Sequence, residues 1–165
     1  METGEAQPDR PAPPAVTLID ADTLAATQGL RVIDVATSPT YRRGHIPGAA
    51  FAIRSRLGEI VTAIGMADVV VTSDDGYLAR FAANELAELL GRRVRGLDGG
   101  TAAWTAAGRA LEAGSGEQLL VPDDVYRRPY EGTDNPASAM QAYLDWEYGL
   151  VAQLESDGTH GFFVI

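Results

Sequence analysis

The sequence predicts an α/β fold, an open parallel sheet flanked by helices, with a C-terminal helical extension. Three observations carry this expectation. Short β-branched runs alternate with helical stretches from residue 16 to about residue 113, the pattern of strands joined by crossover helices. The longest stretch, Tyr77–Leu90, sets Leu78, Phe81, Ala82, Leu86 and Leu89 along one side, as a helix packed on a sheet does. A proline-rich leader and a Gly/Ser break bound the alternating region.

In chain order, residues 1–15 hold four prolines, several charges and no apolar period, so they are expected to be a disordered leader or linker. Val16–Ile19, Arg31–Ala36, Asp68–Thr72 and Arg93–Leu97 are the predicted strands, the middle two being β-branched runs suited to a buried parallel sheet. Ala21–Thr27, Arg54–Ile64, Tyr77–Leu90 and Thr101–Ala107 are the predicted helices. The domain is therefore expected over 16–113 and an extension over 114–165. The extension opens on a loop and continues in an amphipathic helix over 136–156, with Asn135 as N-cap and Pro136 at the first helical position. Met140, Tyr143, Leu144, Glu147, Leu150, Val151 and Leu154 share one side of it. That side is expected to pack on the domain, and a docking surface for another subunit or domain is the alternative. The terminal "HGFFVI" is apolar enough to pack back as an edge strand or plug.

Composition narrows the function classes. Thirteen basic against twenty-three acidic residues leave a net charge of -10, which repels phosphate backbones and anionic lipid, so neither nucleic acid nor membrane is an expected partner. No apolar run approaches the roughly 20 residues of a bilayer span, and the N-terminus lacks the basic start and apolar stretch of a signal peptide. A cytoplasmic location is the resulting expectation. The chain contains no cysteine, which excludes disulfides, thiolate metal sites and thiol nucleophiles together.

Three ordered segments carry more information: "VIDVATSPTYRRGHIPGAA", "VVVTSDDGYLAR" and "LDGGTAAWTAAG". In the first, Gly44 and Gly48 flank a tight excursion whose Pro47 fixes one backbone angle. In the third, Gly99 and Gly100 turn the backbone closely into a helix, and Trp104 supplies a large apolar anchor. Taken in order across roughly residues 16–112, the three resemble the rhodanese homology domain, the α/β fold of thiosulfate sulfurtransferases and their relatives. The resemblance implies that Asp34 belongs to the Asp-Val segment and that His45 is a structural histidine bonded near its loop.

It also implies a reactive loop between the third predicted strand and its helix. In rhodaneses a cysteine there takes sulfane sulfur from thiosulfate as a persulfide and passes it to a thiophilic acceptor, while backbone N–H groups hold the anions. In this sequence Ser73 occupies the nucleophile position, followed by Asp74, Asp75, Gly76, Tyr77, Leu78 and Ala79. Only the glycine agrees with the family's pattern. Leu78 stands where an arginine would hold the substrate, and Ala36 replaces the arginine usual after Asp-Val. Two aspartates make the loop repulsive to anions, since a like-charge contact at about 4 Å costs on the order of 4 kcal/mol at an effective dielectric near 20.

Other chemistries fit less well. Ser73, His45 and Asp34 could be nominated as a hydrolase triad, but the turn lacks the flanking glycines of a nucleophile elbow. Asp74 and Asp75, joined by Asp34, could bind Mg²⁺, yet two aspartates at a helix start are favoured by the helix dipole alone. No metal and no cofactor is expected. The expected function is a catalytically inactive rhodanese-like domain, the C-terminal structural, regulatory or partner-binding module of a larger sulfurtransferase-family protein. Its expected partners are other rhodanese domains of that parent or another protein. An accessory domain of an active thiosulfate sulfurtransferase, with the catalytic cysteine elsewhere, is one alternative, and a small-ligand or anion sensor is another.

Overall fold

Among the described residues six parallel strands form one sheet, in the spatial order Thr17–Ile19, Arg95–Leu97, Asp68–Thr72, Leu30–Asp34, Ala50–Phe51 and Glu117–Gln118. The computed structural model describes residues 10–125 and 137–157. Its elements are β1 (Thr17–Ile19), α1 (Ala21–Ala26), β2 (Leu30–Asp34), α2 (Ser38–Arg43), β3 (Ala50–Phe51), a 3-10 helix (Arg54–Ile60) running into α3 (Val61–Ile64), β4 (Asp68–Thr72), α4 (Tyr77–Leu90), β5 (Arg95–Leu97), α5 (Gly100–Ala106), β6 (Glu117–Gln118) and α6 (Ala137–Asp157).

The register of the central pair, Val32 opposite Val70 and Ile33 opposite Val71, places side chains alternately on the two faces of the sheet. On one face Ile33, Val69 and Val71 meet Leu57, Ile60 and Leu86. On the other, Val32 and Val70 meet Leu24, Ile46 and Leu97, with Trp104 against them. Both faces are thus covered, as an all-parallel sheet requires.

The helices depart from the sequence reading in informative ways. Ala79, Ala82, Ala83 and Leu86 form the buried side of α4, whereas Leu89 is 50% exposed. The helix is turned so that small alanines approach the sheet closely, leaving Leu78 and Phe81 half-buried at its flank. Arg54–Ile64 is not one α-helix but a 3-10 helix broken at Arg56 and followed by one α-turn. The tighter winding sets residues three apart on one side, which buries Leu57 and Ile60 together. β2 stops at Asp34, and the Asp34 carboxylate accepts the N–H of Ala36 at 2.8 Å.

Three short elements are absent from the sequence reading: α2, β3 and β6. β6 pairs with β3, and His45 and Glu112 exchange backbone hydrogen bonds of 2.9 Å in an antiparallel bridge. The chain after α5 therefore returns along the sheet edge and seals it.

Residues through Val125 form one compact unit, and the chain from Tyr126 forms a second. In the second unit α6 leaves Trp146 and Tyr148 exposed, while Met140, Tyr143, Leu144 and Leu150 are half-buried. Residues 1–9 of the expected leader, the Asn135–Pro136 cap and the "HGFFVI" tail lie outside the described residues. Among the described residues no helix is long and apolar enough to cross a membrane.

Candidate functional site

The loop from Ser73 to Gly76 joins β4 to α4, and glycine on both sides gives it its shape. Gly76 sits at a φ of 75°, and a Cβ there would stand 2.8 Å from the Gly100 nitrogen and 2.9 Å from the Leu97 carbonyl oxygen. Gly100, at 60°, would drive a Cβ to 2.0 Å from the Ser73 carbonyl oxygen. The two backbones interlock in a way that only glycine allows. The N–H groups of Thr101 and Ala102, at the start of α5, donate to the Ser73 and Asp74 carbonyls at 2.9 Å each. Alongside them the buried hydroxyls of Thr72 and Thr101 lie 3.2 Å apart.

Ser73 is buried, and its Oγ accepts the N–H of Ala79 at 3.1 Å. Asp75 Oδ1 accepts the N–H of Tyr77 at 3.0 Å. An open loop ahead of a helix offers such N–H groups to an anion. Here two of them are already held by oxygens of the chain itself. The Tyr77 N–H, followed by the Arg10 guanidinium, keeps the Asp75 carboxyl below the usual carboxylate range.

Asp34 and His45 lie beneath this region, each 1% exposed. Burial pushes the Asp34 pKa up to about 6; the Ala36 N–H opposes the shift, Asp74 adds to it, and His45 counters it weakly. His45 Nδ1 lies 2.9 Å from the Tyr41 carbonyl oxygen and donates to it, and its ring stacks on Tyr41 with centroids 3.9 Å apart. The Tyr41 hydroxyl donates to the Ala49 carbonyl at 2.6 Å. Ser73, His45 and Asp34 are each engaged with backbone groups, and among the described residues they make no hydrogen bond to one another. This is the arrangement of a packed loop, and the triad geometry is missing.

Two depressions flank the loop. Asp74, Thr40, Arg43, Thr101, Thr105 and Leu111 line one of about 270 Å³. Leu78, Val35, Ala36, Ile53, Arg54 and Glu85 line another, of about 460 Å³. The cation lining the second is Arg54, whose guanidinium forks onto Glu85 and lies over the Phe81 ring at 5.0 Å. It is neutralised by that partner, so it does not replace an arginine at the Leu78 position. The sequence reading missed this pair because 31 residues separate its members and neither belongs to a motif. Trp104 packs, partly buried, against the second core cluster, and its Nε1 donates to the Ala110 carbonyl at 3.0 Å. Gly99, at a φ of 67°, precedes α5.

Residues 17–107 match the Rhodanese-like domain family. The chain belongs to the rhodanese-like family. Among solved structures it is similar to a thiosulfate sulfurtransferase from Pseudomonas aeruginosa, with 49% identity and a TM-score of 0.86 over 99% of this chain and 32% of that one. It therefore spans about a third of that relative. The Alr3790 protein from Anabaena is 27% identical, with a TM-score of 0.54 over 58% of this chain and 92% of that one. SseA of Escherichia coli, a 3-mercaptopyruvate sulfotransferase, is 22% identical with a TM-score of 0.54, over 63% of this chain and 54% of that one, a likeness of fold. No curated protein matches. This rhodanese-like domain carries no cysteine.

Proposed function

We propose that this chain is a rhodanese-like module that keeps the fold and loop of a sulfurtransferase and does not itself transfer sulfur. One observation carries the reading: a persulfide needs a thiolate, and none of the 165 residues is a cysteine. Ser73, in the position we assign to the nucleophile, spends its hydroxyl oxygen on the Ala79 N–H. The loop geometry supports the same conclusion, because Asp75 takes the place an anionic ligand would fill at the Tyr77 N–H. An anion-sensing role loses two donors, the Tyr77 and Ala79 N–H groups, for the same reason.

We infer a larger sulfurtransferase-family protein as the setting, in the cytoplasm. A relative described as a thiosulfate sulfurtransferase, 49% identical and about three times as long, supports the larger parent. There the module would stabilise or regulate domains that carry the cysteine. The test is direct: incubate the chain with thiosulfate and cyanide, measure thiocyanate, and weigh the intact protein after exposure to the donor. We expect thiocyanate at the level of the blank and no added sulfur atom. Turnover above the blank, or a stable sulfur adduct, overturns the proposal.

A further inference from the structure

The loop that replaces the reactive one is contacted by the chain's own leader. Arg10 Nη1 lies 3.1 Å from Asp75 Oδ2, and its guanidinium stands over the Tyr77 ring, 5.2 Å from the centroid. The Tyr77 hydroxyl donates to the Pro11 carbonyl at 2.7 Å. These three contacts join residues 65 to 67 positions apart, and on the loop they use the side chains of Asp75 and Tyr77. We infer that the Asp75–Tyr77 edge of this loop is a docking site for an extended arginine-proline segment, occupied in this chain by its own Arg10 and Pro11.

The chemistry of the two sides is matched. Asp75 is fixed by the Tyr77 N–H through one oxygen and presents the other to the guanidinium. A carboxylate beside an aromatic face binds arginine through charge and the ring quadrupole together. The hydroxyl of the same tyrosine reads the carbonyl one residue further along, which fixes the register of the docked strand. Pro11, Pro13 and Pro14 each hold φ near the extended value, so the segment loses little freedom on docking. Proline offers no N–H, and the site asks only for a carbonyl. The site is independent of whether the domain transfers sulfur: it rests on the leader contacts alone, and it gives the charge-reversed loop a ligand of opposite sign.

The absence of cysteine makes a clean experiment possible in the full chain. Ala12 is exposed, so an Ala12→Cys substitution gives a single attachment point for a nitroxide. The readout is paramagnetic broadening of the backbone amide signals of residues 74–78. We expect strong broadening in the labelled chain, a decline with added salt, and a docked population about fivefold lower after Arg10→Ala with Tyr77→Phe, since both are exposed contacts of modest strength. A free peptide of residues 5–14 at millimolar concentration is expected to displace the leader and reduce the broadening. Amide signals far from the loop report that the variants remain folded. Weak broadening in the labelled parent, or equal broadening in parent and variant, overturns the proposal. Thiocyanate turnover by the same chain would leave it standing, so the two readings fail separately.

Discussion

Asp34 is a buried carboxylate whose ionisation the fold alters. Burial raises its pKa to about 6, against about 3.9 in an unfolded chain. Between these values the folded state binds more protons than the unfolded one, so the contribution to stability is complete below about pH 4 and is lost as pH rises through about 6. At neutral pH the buried charge costs on the order of 3 kcal/mol. Asp34→Asn keeps an oxygen to accept the Ala36 N–H and has no charge to bury. The difference in urea stability between parent and variant is therefore expected to swing toward the variant from pH 4 to pH 7, and parallel pH profiles would refute this. The sequence named Asp34 and His45 from their motif. It did not reveal the burial of Asp34 or the nearness of Asp74, because those depend on loops that meet only when β2 and β4 pair.

At the scale of elements, α4 shows how far an apolar stripe can be trusted. Leucine spacing implied that Leu86 and Leu89 share the core, yet only Leu86 is enclosed. Leu86→Ala is expected to cost about 2–5 kcal/mol, as truncation in a packed core does. Leu89→Ala should stay within about 0.5 kcal/mol. Chemical denaturation of the two variants checks the orientation of the helix, and equal losses would contradict it. The long helix was legible because its period repeats several times, and the five-residue strands because they lie in β-branched runs. Two-residue strands such as β3 and β6 contain no period to read, and the 3-10 winding of Arg54–Ile60 reflects a choice made by the core beneath Leu57 and Ile60. Within the site, the interlocking of Gly76 with Gly100 was foreshadowed by the glycines, whereas the capture of the Ala79 N–H by Ser73 depends on a rotamer.

For the whole molecule, net charge and loop charge act together on any anionic substrate. Ser73→Cys with Leu78→Arg would place a thiol beside the Ala79 N–H, where a helix start favours the thiolate. Thiosulfate must still approach a protein of net charge -10 and pass Asp74 and Asp75. Sulfur transfer by the double variant is expected to be slow, and adding Asp74→Asn and Asp75→Asn should raise it about tenfold or more, with the gap narrowing at high ionic strength. Equal rates for the double and quadruple variants would show that charge is not the obstacle. The alternation of strands and helices made this architecture readable from the first strand to Trp104. The seal made by β6 was not readable, since it depends on a distant bridge at His45. The pairing of β1 with β5, Thr17 beside Arg95, has a consequence for synthesis on the ribosome. β1, the first strand of this sheet in chain order, must wait for nearly eighty later residues before the one neighbour it has among the described residues exists. Such distant closure slows folding, so the nascent chain carries an orphan edge until the fifth strand arrives, and a pause in translation before that point would prolong its exposure to chaperones.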